Sequence, residues 1–279
     1  MLLRECLTAV SGQTLPVDAV IVVDNASGDD TRTVVRQEFP EVRLIALKRN
    51  EGGAGGFHAG MRAAYEQGVD WIWLMDDDTV PEPDALEALV APLDDLGDLP
   101  EPALLASQVL WIDGTLHPKN LPWIRLEGDH LPDFLAAVSR RLIPLRTASF
   151  VSILVSRRAV SVHGLPHRHY FIWGDDGEYT ARLLKEATGY LVPASVVRHK
   201  TRHRDPVHAD RAAIDQYYYE VRNKLFMIRS SSWTRREKGR LATATVLGSW
   251  LWLRGCRFRP RALIVLIRAV HDGLRRVAE

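Results

Sequence analysis

The chemistry of this chain is concentrated in a few clusters of carboxylates. Asp76-Asp77-Asp78 stands directly behind the apolar run Trp71-Ile72-Trp73-Leu74-Met75. Adjacent carboxylates repel one another, and a cation or a donor-rich ligand in front of them relieves the repulsion. Asp24-Asn25 closes a second apolar run, where a carboxylate can accept hydrogen bonds from a ribose or a base. Asp175-Asp176 follows Phe171-Ile172-Trp173, about a hundred residues further on. If this pair converges on the first cluster, one of its carboxylates can act as general base for an incoming hydroxyl. Each cluster also has a plainer reading, as an acidic turn that caps a helix or complements its dipole. His199 ends a short apolar run, where an imidazole can complete a metal shell with aspartates. Spacing alone does not separate it from His163, His167, His169, His203 and His208.

Asn50-Glu51-Gly52-Gly53-Ala54-Gly55-Gly56 reads as a glycine loop ahead of a helix, through which backbone amides can approach a phosphate. It is neither a G-x-G-x-x-G in register behind a first strand nor a P-loop. A tight turn with close helix–sheet packing explains it as well.

The elements that must position these residues follow a regular order. Met1 to Val10 has the period of an amphipathic helix and ends at Ser11-Gly12. Strands are predicted over 18–23, ending at Asp24, over 42–47, and over 70–75, ending at Asp76. Helices lie between them, from Thr31 to about Phe39, with Ser27 or Asp29 as cap, and from the glycine loop to about Gln67. This alternation predicts right-handed βαβ units and a parallel sheet carrying Asp24 and Asp76 on one edge. Further on, the pattern gives a helix opened by Pro81 to Asp84, a strand over 103–112 and a loop over 113–133. It then gives a strand over 148–155, a helix from Asp175 to Gly189, and short strands over 190–192 and 196–199.

The 279 residues suffice for one large α/β domain with an appendage. Hydrophobic residues make up 46% and charged residues 25%, ordinary globular values that argue against disorder. Cys6 and Cys256 lie at opposite ends without metal-ligand spacing, which favours neither a zinc site nor a disulfide framework and fits a reducing compartment. The formal charge of +1 hides an asymmetry. From Arg222 onward Arg and Lys dominate, interleaved with apolar segments over 241–253 and 262–270 that are too short to span a bilayer and carry tryptophan. Such segments suit an anionic membrane surface. Nothing in the pattern argues for nucleic acid, and self-association into a homo-oligomer is left open.

Taken together, the motifs resemble the inverting glycosyltransferases of family 2, over about Leu3 to Arg229. Val23-Asp24-Asn25-Ala26-Ser27-Gly28-Asp29-Asp30-Thr31 is similar to the family's V-D-N-x-S-x-D-x-T, and Asn50 to Phe57 to its N-x-G-G-x-G-G segment. Asp76-Asp77-Asp78 occupies the D-x-D position. Phe171 to Arg182 fits F-x-x-x-[ED]-D-x-[DE]-[LY]-x-x-R, whose second acid is the catalytic base. The resemblance implies a GT-A fold, a Rossmann-like mixed α/β sheet, over residues 1–229, with basic amphipathic helices over 230–279. It assigns Asp176 as base, and Asp76, Asp78 and His199 as ligands of Mn²⁺ or Mg²⁺. Asp24, Asn50, Asp76 and Asp77 would bind the donor, with Gly53 and Gly55 leaving it room. Trp173 and Asp175 are candidates for the acceptor side.

Within the family, the glycine segment, Trp71 to Leu74 and the consecutive aspartates are most similar to bacterial galactofuranosyltransferases. These act on lipid-linked cell-envelope glycans from the cytoplasmic face of the membrane. Rhamnosyltransferases using dTDP-rhamnose are close neighbours, and the Tyr217 to Asn223 stretch recurs in both groups. A nucleotide-binding oxidoreductase would leave the aspartates unexplained, and a non-catalytic protein of the same fold is a further alternative. Family members open with a strand, whereas this chain opens with a helix. The corresponding expectation is a fold lacking its first strand, with Met1 internal to a longer native chain.

Overall fold

The computed structural model describes residues 2–126, 131–201 and 211–275. The amphipathic start forms α1 (Leu2–Ser11), which buries Leu3, Cys6, Leu7 and Val10. β1 (Ile21–Asp24), α2 (Thr31–Glu38) and β2 (Arg43–Ala46) follow, and β1 and β2 pair in parallel as a small sheet of their own. Leu3 and Leu7 pack with Val35 and Val42 against it. At the start of α2, the Asp29 carboxylate accepts the Thr31 amide at 3.1 Å, whereas Ser27 bonds to Asp24, its backbone amide donating to Oδ1.

α3 (Gly52–Glu66) leads to β3 (Trp71–Leu74), β4 (Thr79–Pro81), α4 (Ala85–Val90) and β5 (Pro102–Leu110). β6 (Trp123–Ile124), α5 (Leu131–Ser139), β7 (Ile143–Thr147), β8 (Ile153–Ser156), α6 (Arg157–His163), α7 (Asp175–Leu183) and β9 (Thr188–His199) follow. The main sheet has the order β3-β8-β5-β9-β7-β6, with β4 added against β9. It is mixed, since β5 and β9 run parallel while β3 and β8 run antiparallel. The predicted single parallel sheet is therefore corrected: Asp24 and Asp76 close strands of two separate sheets.

Alternation along β5 and β8 explains why the sheet is covered on both sides. Leu104, Ile153 and Val155 face a cluster with Met61 of α3, Val160 of α6 and Tyr179 and Leu183 of α7. Leu105 and Leu154 face Leu86 and Leu89 of α4 and Ala137 of α5. Each such fully buried leucine contributes about 1.5–3 kcal/mol relative to an exposed one.

Four other expectations change, the first being that the short strands expected over 190–192 and 196–199 are one continuous strand, β9. The strand expected over 148–155 is the end of a turn followed by β8, because the Thr180 hydroxyl takes the Ala148 amide and the Ser152 carbonyl accepts from Ser107. Distant partners thus satisfy a backbone that local alternation reads as extended. The helix from Asp175 stops at Leu183, before Gly189. The loop expected over 113–133 contains the short strand β6 and leads into α5, which the sequence pattern did not reveal.

α8 (Arg211–Arg229), α9 (Arg235–Gly255) and α10 (Pro260–Leu274) close the chain. α9 opens with a capping box in which Thr234 and Glu237 satisfy each other's amides. Tyr217 of α8 stacks on Trp252 of α9 with centroids 4.0 Å apart. A Cβ on Gly273 of α10 would stand 2.7 Å from Leu225 of α8, so these two helices meet at a glycine. Among the described residues no helix is long and apolar enough to cross a membrane.

Candidate active site

The metal-ligating set assembles through strand pairing. β4 runs antiparallel to β9 with Thr79 opposite His199, which puts Asp78 beside the imidazole. His199 Nε2 lies 3.0 Å from Asp78 Oδ1 and 3.8 Å from Asp76 Oδ2. One ligand atom from each of Asp76, Asp78 and His199 falls within 4.8 Å of the others. Two carboxylates and one imidazole suit an octahedral divalent ion such as Mn²⁺ or Mg²⁺, the nitrogen leaning towards Mn²⁺. The imidazole is fixed from behind: Asn120 Oδ1 accepts from Nδ1 at 2.9 Å, leaving Nε2 to face the aspartates. Asn120 is a positioning residue that sequence reading missed, and its Pro-flanked loop carries no periodic signal. His203 and His208 lie outside the described residues.

Burial pushes the Asp76 carboxyl up to about 7, with Asp78, Asp77 and Asp176 adding to the rise against the opposing effect of His199. The influence of Asp176 brings the second acidic pair into the same field. Burial also drives Asp175 up to about 8, reinforced by Asp176 and Asp76. Asp176 is raised by burial as well, but backbone hydrogen bonds oppose this, and Oδ1 accepts the Gly177 amide at 2.6 Å. Asp175 is 7% exposed while Asp176 is only half-buried. Burial thus raises both members, most plainly the buried Asp175, while backbone hydrogen bonds favour the ionised form of the half-buried Asp176.

The segment that delivers this pair is strained. Phe171, Trp173 and Gly174 have φ of 65°, 65° and 79°, values that cost non-glycine residues about 1–3 kcal/mol each unless the surroundings enforce them. Enforcement comes from α8. The Asn223 Nδ2 lies 3.0, 2.7 and 2.7 Å from the carbonyls of Tyr170, Ile172 and Trp173, and Arg222 Nη2 donates to His169 and Tyr170. Asn223 was missed as a site-building residue, although it ends the Tyr217 to Asn223 stretch noted in the sequence. Trp173 is 42% exposed, so it is not a core aromatic and its ring is open to a ligand.

The glycines form the first turns of α3 instead of the expected loop. Glycine is a poor helix former, and the start is held by other contacts. Asn50 Oδ1 accepts the Gly52 amide at 2.8 Å, Asn25 Nδ2 donates to the Gly52 carbonyl at 2.7 Å, and the Ala54 amide bonds to the Phe171 carbonyl at 3.1 Å. Gly52 has φ +72°, and a Cβ there would stand 1.9 Å from the Phe171 carbonyl oxygen. Gly52→Ala is expected to lose about 2–4 kcal/mol of stability, measured by urea unfolding, and to reduce transfer by displacing the Asp175-Asp176 segment. A Cβ on Gly53 would enter open space, whereas one on Gly55 would meet Glu51 Cβ at 2.4 Å. Of these two, Gly53 faces a volume that a ligand could use.

Asp24 is 2% exposed and already engaged: Oδ1 accepts the Ser27 amide at 3.1 Å and Oδ2 accepts from Arg32 at 2.5 Å. Burial raises its pKa, but these bonds outweigh that and hold it below the ordinary value. Asp77 is the exposed member of its triplet.

The raised acids imply a pH dependence of stability. Asp175 moves from 3.8 to about 8 on folding, so the folded state binds the extra proton, and the stability it contributes is lost as pH rises through the folded value. His169 is lowered to about 4, chiefly by burial, and acts in the opposite sense only below its unfolded value of 6.5. Between pH 6.5 and 8.5 the metal-free protein is therefore expected to lose about 4–8 °C in Tm. Asp175→Asn should flatten that slope in a thermal scan with chelator; an equal slope in both proteins would exclude Asp175 as its source.

Comparison with known proteins bears on what such a site does. Residues 2–99 match the model described as glycosyl transferase family 2. Over 186 residues the chain is 31% identical to galactofuranosyltransferase GlfT1 of Mycolicibacterium smegmatis, covering 66% of this chain and 61% of that protein. The chain thus spans about three fifths of the length of this relative. The structure resembles S. aureus TarS 1-349 in complex with UDP-GlcNAc with a TM-score of 0.62 at 15% identity, over 97% of this chain and 76% of that one. It resembles GalNAc-T7 with UDP, GalNAc and Mn²⁺ with a TM-score of 0.54 at 12% identity, over 87% of this chain and 52% of that one.

Proposed function

We propose that this chain, which has a GT-A-like fold and matches the family 2 glycosyltransferase model over residues 2–99, is a glycosyltransferase of that family and transfers a sugar from a nucleotide-diphosphate donor to an acceptor hydroxyl with inversion. The donor we favour is UDP-galactofuranose and the acceptor a lipid-linked cell-envelope glycan, a choice supported by the likeness to GlfT1. The observation that carries the reaction type is the convergence of Asp76, Asp78 and His199, within the electrostatic reach of the half-buried Asp176.

In this reading the acceptor oxygen forms its bond to the anomeric carbon as its proton passes to Asp176, and the bond to the diphosphate breaks on the opposite face. One base and no covalent intermediate give inversion. Mn²⁺ or Mg²⁺ held by Asp76, Asp78 and His199 would supply charge stabilisation for the departing diphosphate. Asn120 keeps the imidazole aimed, while Asn223 and Gly52 fix the backbone that aims Asp176. Gly53 leaves room for the donor, and Trp173 offers a face to the acceptor sugar beside Asp175. Asp77 and Asn50 contact the nucleoside. Asp24 does so through Oδ2 once Arg32 yields it, and otherwise shapes the Ser27 turn.

Work at the inner face of a membrane is part of the proposal. Trp250 and Leu251 of α9 and Ile264 and Ile267 of α10 are exposed, in helices that also carry Arg254, Arg261 and Arg268. That combination supports peripheral attachment to anionic lipid. A donor screen tests the specificity: with Mn²⁺ and a lipid-linked acceptor, UDP-galactofuranose should be consumed with release of UDP. Turnover with dTDP-rhamnose alone would replace the favoured donor.

A further inference from the structure

Away from the carboxylates, a cleft of ≈ 490 Å³ opens between β6, β7 and the start of α9. Its volume is that of a small-molecule site, and its wall is strongly cationic. Arg125, Lys185, Arg236 and Arg240 line it, and the acid among its lining residues, Glu237, is already committed. Glu237 Oε1 and Oε2 accept from Arg146 at 2.6 and 3.1 Å, and Oε2 also accepts the Thr234 amide at 2.7 Å. Arg236 and Arg240 are exposed and stand four residues apart on α9, where like charges repel unless an anion lies between them. The positive end of the α9 dipole adds to the same field. Lys185 is tethered at the rim by donating to the Ser231 carbonyl at 2.8 Å.

The rest of the lining is largely aromatic and apolar, with Trp123, Ile124 and Leu126. Trp123 is 44% exposed and meets buried Trp233 edge-on with centroids 5.6 Å apart, so its ring is braced and yet open. An exposed, fixed indole is a platform for the apolar face of a sugar ring. We infer that this cleft binds a glycosyl phosphate, with the sugar on Trp123 and the phosphate between Arg236 and Arg240. α7 relates the cleft to the active site: Asp176 stands at its N-terminus and Lys185 just beyond its C-terminus, a separation of ~13 Å along the axis. If the transferase reading holds, the bound group is the phosphate-bearing part of an extended acceptor whose hydroxyl end reaches Asp176. The anion site itself does not depend on that reading.

The test is titration calorimetry of the full chain with glucose 1-phosphate, inorganic phosphate and glucose, with and without saturating UDP and Mn²⁺. Glucose 1-phosphate is expected to bind in both conditions, more tightly than phosphate, and glucose not measurably. The double variant Arg236→Ala/Arg240→Ala should weaken glucose 1-phosphate roughly tenfold or more, and Trp123→Ala should weaken it without changing inorganic phosphate. UDP binding should survive in both variants, which reports an intact fold. Displacement of glucose 1-phosphate by UDP, or equal affinity in the double variant, would overturn the inference. So would a wild-type protein that ignores glucose 1-phosphate but binds phosphatidylglycerol vesicles through the same arginines, because the cleft would then be part of a lipid-facing patch. A protein that binds glucose 1-phosphate as described but transfers no sugar would sink the transferase reading and leave this site standing.

Discussion

Replacing Asp176 by Asn is expected to lower kcat about 10³-fold with little change in donor affinity, the loss typical of removing a general base. The exchange is nearly isosteric, and the amide oxygen can still accept the Gly177 amide, which now lies 2.6 Å from Oδ1. What disappears is the capacity to take a proton. Asp175→Asn is the informative companion. Asp175 is buried and pushed up to about 8, so it already carries a proton near neutrality, and its amide should keep most of the activity. The base itself is raised above an ordinary carboxylate by burial, so the acid limb of kcat against pH should lie above the usual range for aspartate and stay there in Asp175→Asn, since a neutral amide replaces a neutral carboxyl. Near wild-type turnover by Asp176→Asn, or a larger loss in Asp175→Asn, would transfer the role to the neighbour.

The acidic clusters were legible in the sequence because each ends an apolar run, and a run that stops at a carboxylate marks where a buried element reaches solvent. Their convergence was implied by the family resemblance and was not legible in the local pattern. The expected route was a common parallel sheet, yet Asp24 and Asp76 close strands of different sheets, and Asp78 meets His199 through the antiparallel pairing of β4 with β9. β4 spans only Thr79–Pro81 and includes a proline, so no pattern announces it. The supporting groups were hidden for the same reason. Asn120 and Asn223 act on residues 79 and 50 positions away or more, through bonds that local periodicity cannot encode. The glycine segment shows the converse, in that composition argued for a loop, while Asn25, Asn50 and Phe171 hold it as the first turns of α3. Glycine is retained at Gly52 because the Phe171 carbonyl occupies the place of a side chain, a reason visible only once the two segments are set side by side.

Asp78→Ala should separate metal binding from the rest of the fold. Asp78 Oδ1 is the carboxylate atom nearest His199 Nε2, at 3.0 Å, against 3.8 Å for Asp76. Its loss leaves one carboxylate and one imidazole, too few to hold Mn²⁺ or Mg²⁺ firmly. Loss of a partner behind a ligand typically costs 10–100-fold in metal affinity, so removal of the ligand itself should cost at least about 100-fold, while Asn120→Ala should fall within that lower range. Mn²⁺ binding followed by electron paramagnetic resonance gives the order directly: wild type tightest, Asn120→Ala intermediate, Asp78→Ala weakest. UDP affinity with and without chelator supplies the functional half, because a diphosphate held through the cation should lose affinity on chelation in the wild type and show little further loss in Asp78→Ala. The β4–β9 pairing is carried by backbone hydrogen bonds, including that from the Lys200 amide to the Asp78 carbonyl at 2.9 Å, so the variant keeps its strand register. A variant that bound Mn²⁺ like the wild type would place the cation elsewhere, and the convergence of Asp76, Asp78 and His199 would then reflect strand pairing alone.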